Sequence, residues 1–264
     1  MPAKKMTKSS PIISAQSIAA DYGQGVVISD IDFEIKPGES FGLMGLNGAG
    51  KTTFIKILLG LLEPSHGSIK IENQDRLTHE TKHKIAYLPE KFEPPTFLSG
   101  LEFVRFSLKL YHKHCTDDQI YQAADRLALD RQALKRRVDT YSKGMRQKIG
   151  LMATFLTECP IMILDEPMSG LDPRARACTK DEILKCRKKG ITVFISSHIL
   201  SDMDEICDRT TVLHEGKILF LGPPKKLKTQ TKEQYLERAF LKLIDHKGKM
   251  KSAKKPRKKT VDKG

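Results

Sequence analysis

The chain has 264 residues, 39% of them hydrophobic and 30% charged, with a formal net charge of +14. These values are typical of a soluble globular protein with one large domain. No apolar run approaches the roughly 18 residues of a membrane span, and residues 1–10 lack the apolar core of a secretory signal. We therefore expect a chain that is made in the cytoplasm and stays there.

The positive charge is concentrated at the C-terminus. Residues 247–264 hold nine Lys or Arg and one Asp, whereas the rest of the chain holds 37 basic and 31 acidic residues. We expect a disordered tail, with contact to anionic lipid as a close alternative and nucleic-acid binding as an unlikely third. The five cysteines have no C-x-x-C spacing, which favours reduced thiols over disulfides or a metal site.

Apolar periodicity and turn signals predict strands in the first half of the chain. The first forty residues read as an antiparallel β-layer, whose strand at 12–18 is expected at a sheet edge. The strands that follow are predicted at 26–28, 31–35, 40–44, 68–71 and 84–88, with a helix at 53–59 after the 40–44 strand.

From residue 92 the sequence pattern changes from strands to helices. Ser99 with Glu102, and Thr116 with Gln119, have capping-box spacing, and Ser142 is a suitable N-cap for a helix that reaches residue 157. The remaining predictions are strands at 161–164 and 191–196, a helix between them that starts at Pro173, a hairpin at 211–220 and a last helix at 232–244.

Residues 45–52 match the phosphate-binding loop G-x-x-x-x-G-K-[ST] without a mismatch, between a predicted strand and a helix. Glycines let backbone N–H groups approach phosphate oxygens, and the helix N-terminus adds the positive end of its dipole. Lys51 supplies a charge for the outer phosphates, and Thr52 a hydroxyl for Mg²⁺. The predicted nucleotide-binding residues are Gly45, Asn47, Gly48, Ala49, Gly50, Lys51, Thr52 and Thr53.

A second candidate site follows the apolar run 161–164. Asp165 is placed to hold Mg²⁺, and Glu166 to polarise a water for attack on the terminal phosphate. Asp-Glu alone is a common surface dipeptide, so the apolar residues before it decide the interpretation. Tyr22 is a candidate to stack on the base, with ordinary packing as an equal alternative.

The order of these motifs resembles the nucleotide-binding subunits of ABC transporters over roughly residues 12–222. The resemblance implies an α/β fold: a P-loop NTPase core, mainly a parallel sheet flanked by helices, with an N-terminal antiparallel β-layer and an inserted helical subdomain. It adds four elements to the site, namely the signature Ser142-Lys143-Gly144, Glu90 ahead of the helical subdomain, Asp172 in a loop facing a partner subunit, and the switch histidine His198.

In that family two domains dimerise head to tail, and each ATP lies between the phosphate loop of one and the signature of the other. The resemblance implies that Ser142 and Gly144 contact the terminal phosphate bound by the opposite subunit. His198 would contact it within the same subunit, where Glu166 orders the water and Lys51 holds the phosphates. Mg²⁺ would be held by Thr52, Asp165 and Glu90. The implied cofactors are ATP and Mg²⁺.

Two motifs depart from the commonest family pattern. Glu90 stands where glutamine is usual and adds negative charge near the phosphates. In the signature, Lys143 replaces a glycine, and Met145 stands where the commonest form ends in glutamine. Leu-Pro-Glu together with Tyr-Ser-Lys-Gly-Met-Arg-Gln resembles the exporter-type branch of bacterial transporters.

The leading hypothesis is an ATPase on the cytoplasmic face of the cell membrane that powers a separately encoded integral membrane permease and forms a dimer, most simply a homodimer. The main alternative is an ABC-type ATPase that acts with nucleic acid or the ribosome, and a third is a regulatory module without turnover. The predicted organisation is a disordered segment at 1–10, the ATP-binding domain at 11–230 with a helical subdomain at about 92–158, a C-terminal helix at 231–246 and a disordered tail at 247–264.

Overall fold

The computed structural model describes residues 10–23, 25–74 and 78–253, with side chains as far as residue 245. Its strands are β1 (Ile13–Asp21), β2 (Val26–Ile35), β3 (Ser40–Met44), β4 (His66–Ile71), β5 (Ile85–Leu88), β6 (Ile161–Asp165), β7 (Thr192–Ser197), β8 (Arg209–His214) and β9 (Lys217–Gly222). Its α-helices are α1 (Lys51–Leu58), α2 (His79–Lys82), α3 (Gly100–Leu110), α4 (Asp117–Arg126), α5 (Lys143–Leu156), α6 (Pro173–Lys188), α7 (Leu200–Ile206), α8 (Pro224–Thr231) and α9 (Leu236–Ala253).

A six-stranded sheet lies at the centre of the fold, in the order β5-β6-β7-β3-β8-β9. Every neighbouring pair is parallel except β8 and β9, which form an antiparallel hairpin. β3, β6 and β7 are buried along their whole length. Their apolar runs follow from this position, because both faces of a parallel sheet are covered.

The N-terminal β-layer is a separate antiparallel sheet in the order β2-β1-β4. The prediction of an edge strand at 12–18 is wrong, because β1 pairs with β2 on one side and with β4 on the other. Its alternation of buried and exposed residues reflects one covered face, which a central strand of a half-exposed sheet also shows.

The helical segment packs as α3, α4 and α5, with two 3₁₀ helices, Arg131–Lys135 and Val138–Thr140, before α5. Both predicted capping boxes are present, since Ser99 and Thr116 each accept a backbone N–H while Glu102 and Gln119 reach back to the N-cap. Apolar side chains of these helices share one buried cluster with β6 and β7. The segment is therefore anchored to the main sheet.

The C-terminal region differs from its prediction. Residues 224–231 form α8, which ends at Lys232 in a left-handed conformation (φ 58°), so the predicted helix start at residue 232 is wrong. The last helix begins at Leu236 and continues to Ala253, which corrects the predicted disorder of residues 247–253. Residues 1–9 and 254–264, also predicted to be disordered, lie outside the described part. No helix in the described ranges has the length and apolar character needed to cross a bilayer.

Four phenylalanines join the two sheets beneath the phosphate-binding loop. Phe33 of β2 stacks on Phe41 of β3, with ring centroids 5.0 Å apart, and contacts Phe54 of α1 at 5.1 Å. Phe194 of β7 completes the cluster at 6.0 Å from Phe41 and 6.2 Å from Phe54. The cluster fixes α1, which carries the loop, against both sheets.

Replacing Phe54 tests this anchor. Phe54→Ala should lower the free energy of unfolding by about 3–5 kcal/mol, because its side chain is fully buried and would leave a cavity. Phe54→Leu, which keeps most of the apolar volume, should cost clearly less. Urea unfolding followed by circular dichroism gives both values, and equal losses for the two variants would contradict the packing role.

Candidate functional site

The loop between β3 and α1 has the backbone shape that phosphate binding requires. Gly48 and Gly50 have φ values of 79° and 105°, in the left-handed region that favours glycine. A Cβ on Gly50 would lie 2.4 Å from the Ile28 side chain, so the position cannot hold a larger residue without a shift. Beside Gly48 there is open space. The loop therefore leaves a cradle at the N-terminus of α1.

Lys51 folds back over this loop. Its Nζ donates to the carbonyl of Gly45 at 2.7 Å and to that of Leu46 at 3.4 Å, and the residue is buried. The loop thus fixes the position of one ammonium group above its own backbone. A polyphosphate in the cradle would meet this charge together with the N–H groups of the helix N-terminus.

Asp165 and Glu166 occupy the end of β6, next to the end of β7. Asp165 pairs with Ser196 in the parallel register, and its carboxylate accepts a hydrogen bond from the Ser196 hydroxyl. Glu166 follows in a left-handed conformation (φ 49°), and its N–H donates to the Ser196 carbonyl at 3.1 Å. For a residue other than glycine this backbone is strained, and such strain is concentrated at functional sites.

The Glu166 carboxylate is held from three sides. Its Oε2 lies 2.8 Å from Nδ1 of His198 and accepts the Ser197 hydroxyl and the His198 backbone N–H, each at 3.3 Å. The Glu166 side chain is 6% exposed, whereas that of His198 is 57% exposed. The geometry therefore buries the carboxylate and leaves the imidazole facing the cleft.

Burial raises the pKa of the Asp165 carboxyl above its usual value. The Ser196 hydrogen bond lowers that pKa, the negative charges of Glu90 and Glu166 raise it, and Lys51 lowers it. Burial and neighbouring carboxylates both disfavour the ionised form, so a bound cation would relieve a cost that the protein carries without one.

A cleft of about 390 Å³ brings most predicted site residues together. Its polar lining includes Asn47, Lys51, Thr52, Thr53, Glu90, Asp165, Glu166 and His198, and Gly48 and Gly50 lie in its wall. Tyr22 stands beside it, half-exposed, with its hydroxyl 3.4 Å from Thr53 Oγ1. Gly45 and Ala49 shape the loop from beneath, and Ala49 is buried. The cleft has room for a polyphosphate.

The oxygen donors in this cleft suit Mg²⁺. The Thr52 hydroxyl and the carboxylates of Asp165 and Glu90 all line it. Mg²⁺ usually takes one or two carboxylates together with substrate phosphates and water, and this donor set fits that preference.

The signature residues lie outside the cleft. Ser142 caps α5, where its hydroxyl accepts the Met145 N–H at 3.2 Å, and both Ser142 and Lys143 are exposed. Gly144 packs against the loop after Glu166, since a Cβ there would lie 2.9 Å from the Gly170 carbonyl oxygen. Asp172 ends that loop as the N-cap of α6.

Sequence reasoning missed the residues that attach this signature to the loop at 166–172. Gln147 donates to the Pro167 carbonyl at 2.9 Å. The Lys148 ammonium donates to the Ala128 carbonyl at 2.8 Å and to Asp172 at 3.3 Å. Both lie two turns or fewer into α5, where ordinary helical polarity gives no signal of such contacts. The hydrogen bonds that the Ser196 and Ser197 hydroxyls donate to the two carboxylates were also missed. The position of these serines at the end of an apolar run, next to His198, was a signal that could have found them.

Comparison with known proteins places this site in a family. A family model described as ABC transporter matches residues 28–169. The chain belongs to the ABC transporter family. The ATP-binding protein EcsA of Bacillus subtilis is 30% identical over 239 residues, which cover 88% of this chain and 96% of EcsA. An ABC transporter ATP-binding protein of Synechocystis is 37% identical over 198 residues, 74% of this chain. The chain spans 56% of that cyanobacterial relative and 60% of one from Nostoc.

Solved structures agree with this assignment. The ATP-binding subunit of an ABC transporter has a TM-score of 0.78 and 28% identity, over 88% of this chain and 99% of that one. A dimeric ATP-binding cassette in a post-hydrolysis state, bound to ADP and Pi, has a TM-score of 0.71 at 19% identity and supports the fold. The predicted α/β fold class and the predicted membership of the ABC transporter family are confirmed.

The raised pKa of Asp165 predicts how stability depends on pH. The folded state holds this proton more tightly than the unfolded chain, so stability without nucleotide should fall as pH rises from about 4 through the raised value. Asp165→Asn should flatten this fall and raise the thermal midpoint at pH 7. Thermal unfolding between pH 4 and 8 measures the pH dependence of the midpoint. Asp181→Asn is the control, because Asp181 is exposed on α6. A midpoint for Asp165→Asn below that of the parent at pH 7 would contradict the burial cost.

Proposed function

We propose that this chain binds and hydrolyses ATP with Mg²⁺ in a head-to-tail dimer, most simply a homodimer, and so powers a separate integral membrane permease. The observation that supports hydrolysis is the convergence of Lys51, Asp165, Glu166 and His198 on one cleft. Phosphoryl transfer to water needs charge neutralisation, an oriented water and little covalent chemistry, and this set supplies each of these.

Each group has a role that its geometry supports. The cradle at Gly48 and the Lys51 ammonium bind the outer phosphates. Glu166 orients the attacking water as a general base, and its short contact to Nδ1 of His198 keeps both side chains at the terminal phosphate. Mg²⁺, held by Thr52, Asp165 and Glu90 with the phosphates, would neutralise charge on the leaving group.

The second half of the site comes from the partner. The cleft is open, whereas Ser142, which does not line it, is exposed on another surface at the N-terminus of α5. A helix N-terminus with a serine cap suits the binding of a phosphate anion. In the proposed dimer, Ser142 and Gly144 of each chain close on the nucleotide of the other, with Asp172 at the subunit boundary. ATP binding then closes the dimer and hydrolysis reopens it.

Export is the proposed direction of transport, and the cytoplasmic face of the cell membrane the proposed location. Both rest on the family and on the Leu-Pro-Glu and Tyr-Ser-Lys-Gly-Met-Arg-Gln segments. Co-purification in detergent tests the permease, because the partner should be a hydrophobic protein with several membrane spans.

The general base is the sharpest test of hydrolysis. Glu166→Gln should lower kcat by roughly 100-fold or more and leave ATP binding intact, because the amide cannot accept a proton. Glu158→Gln, an exposed residue paired with Lys189, is the matched control. Phosphate release and equilibrium binding of ATP give the two readouts. Undiminished turnover in Glu166→Gln would refute the assignment.

Tyr22 is the proposed platform for the base. Tyr22→Ala should weaken ATP binding by about 5- to 150-fold, because stacking on an aromatic ring is worth about 1–3 kcal/mol per base. Tyr22→Phe should bind almost as tightly, since the ring is kept. Tyr235→Ala, which removes a similarly exposed ring far along the chain, is the control. Titration calorimetry measures all three, and unchanged affinity of Tyr22→Ala would leave Tyr22 a packing residue.

A further inference from the structure

The phosphate cleft carries an excess of negative charge. Glu90, Asp165 and Glu166 line it, and Lys51 is the only Lys or Arg among its lining residues in the described part of the chain. A triphosphate adds to this excess. Closing a second subunit over the cleft removes water, which strengthens every repulsion inside it. Closure therefore favours a surface that brings a cation.

Glu90 is the carboxylate of this set with no partner of its own. Asp165 accepts from Ser196, and Glu166 accepts from Ser197 and His198. Glu90 is exposed and, within the described residues, its carboxylate makes no hydrogen bond or ion pair. As an exposed lining residue, Glu90 is accessible to a partner that closes over the cleft.

Lys143 presents an unpaired cation on the opposite half of the proposed site. The aliphatic part of its side chain packs over Gly170. A Cβ added to Gly170 would lie 3.2 Å from Cδ and 3.3 Å from Cε of Lys143. The ammonium forms no hydrogen bond or ion pair with any part of the chain that the structure describes, and the residue is exposed. Packing thus holds the stem beside Ser142 and leaves the charge available to a neighbour.

We propose that, in the closed dimer, Lys143 pairs with the partner's Glu90. This rests on the head-to-tail dimer proposed above and assigns the signature lysine a specific positioning role. The pair accounts for two of the three departures from the commonest family pattern, Glu90 and Lys143, and leaves Met145 aside. A carboxylate in place of glutamine adds one negative charge to the cleft, and a lysine in place of glycine brings one positive charge to the surface that covers it.

Neutral replacements at the two positions test the pair. Glu90→Gln keeps an oxygen that can ligate Mg²⁺, and Lys143→Gly restores the common signature residue. Each alone should weaken the ATP-induced dimer several-fold, because the remaining charge is desolvated without a partner. The double variant should return to within about twofold of the parent, which is a coupling of about fivefold or more. Sedimentation of chains that also carry Glu166→Gln, so that ATP persists, measures the dissociation constants.

Mixing two single variants shows whether the pair joins two subunits. In a heterodimer of a Glu90→Gln chain and a Lys143→Gly chain, one site has the native pair and the other has two neutral residues. Each homodimer instead has a lone charge in both sites. The ATPase rate of an equal mixture, with Glu166 intact, should therefore exceed the mean of the two separate rates, and added salt should shrink the difference.

Controls exclude general effects of charge and folding. Mixing either variant with the parent chain should give only the average rate. Lys109→Gln, exposed on α3, removes the same charge away from the signature and should leave the dimer unchanged. Lys143→Gln repeats the test without glycine in the first turn of α5. Circular dichroism and thermal midpoints check that each variant folds.

Three results would overturn the pair: single effects that simply multiply in the double variant, no gain on mixing, or a Glu90→Gln dimer tighter than the parent. The last would mean that Lys143 binds phosphate directly.

The broader function fails on a separate result. If the Glu166→Gln chain with no other change forms no ATP-induced dimer, and the parent has no Glu166-dependent hydrolysis, the head-to-tail ATPase itself is refuted.

Discussion

The parallel pairing of β7 with β3 on one side and β6 on the other is the constraint on which the cleft depends. Its register sets Met44 opposite Ser197 and Asp165 opposite Ser196. Three strand ends therefore meet at one edge, and the residues that follow them must share the space beyond it. A shift of one residue in β6 would turn Asp165 to the other face of the sheet and empty the site of its central carboxylate.

Holding carboxylates at that edge costs stability, and the fold limits the cost locally. The hydroxyls of Ser196 and Ser197 donate to Asp165 and Glu166. These bonds satisfy oxygen atoms that have lost water, but they add no positive charge. The protein alone therefore keeps an excess of negative charge that a bound cation would offset. Perturbed charged groups of this kind are concentrated at functional sites.

The parts of the site that sequence could predict are local. The loop at 45–52, the pair Asp165-Glu166 and the two capping boxes depend on residues within a few positions of one another. The central place of β1 depends on β4, some fifty residues later, and no pattern within β1 reveals it. Contacts of Gln147 and Lys148 arise only when α5 packs on the loop at 166–172. The predicted start of the last helix at residue 232 is wrong because Lys232 ends α8 in a left-handed backbone that lysine rarely takes.

The attachment of α5 to the loop at 166–172 has a consequence for how two bound nucleotides communicate. Gln147 and Lys148 tie the first turns of α5 to the segment that begins with Glu166 and ends with Asp172. The residues that act on a subunit's own nucleotide and those it offers to its neighbour thus belong to one body. In the proposed dimer, the loop at 166–172 therefore links the residues that meet one nucleotide to those that meet the other, which gives a contiguous path between the two sites.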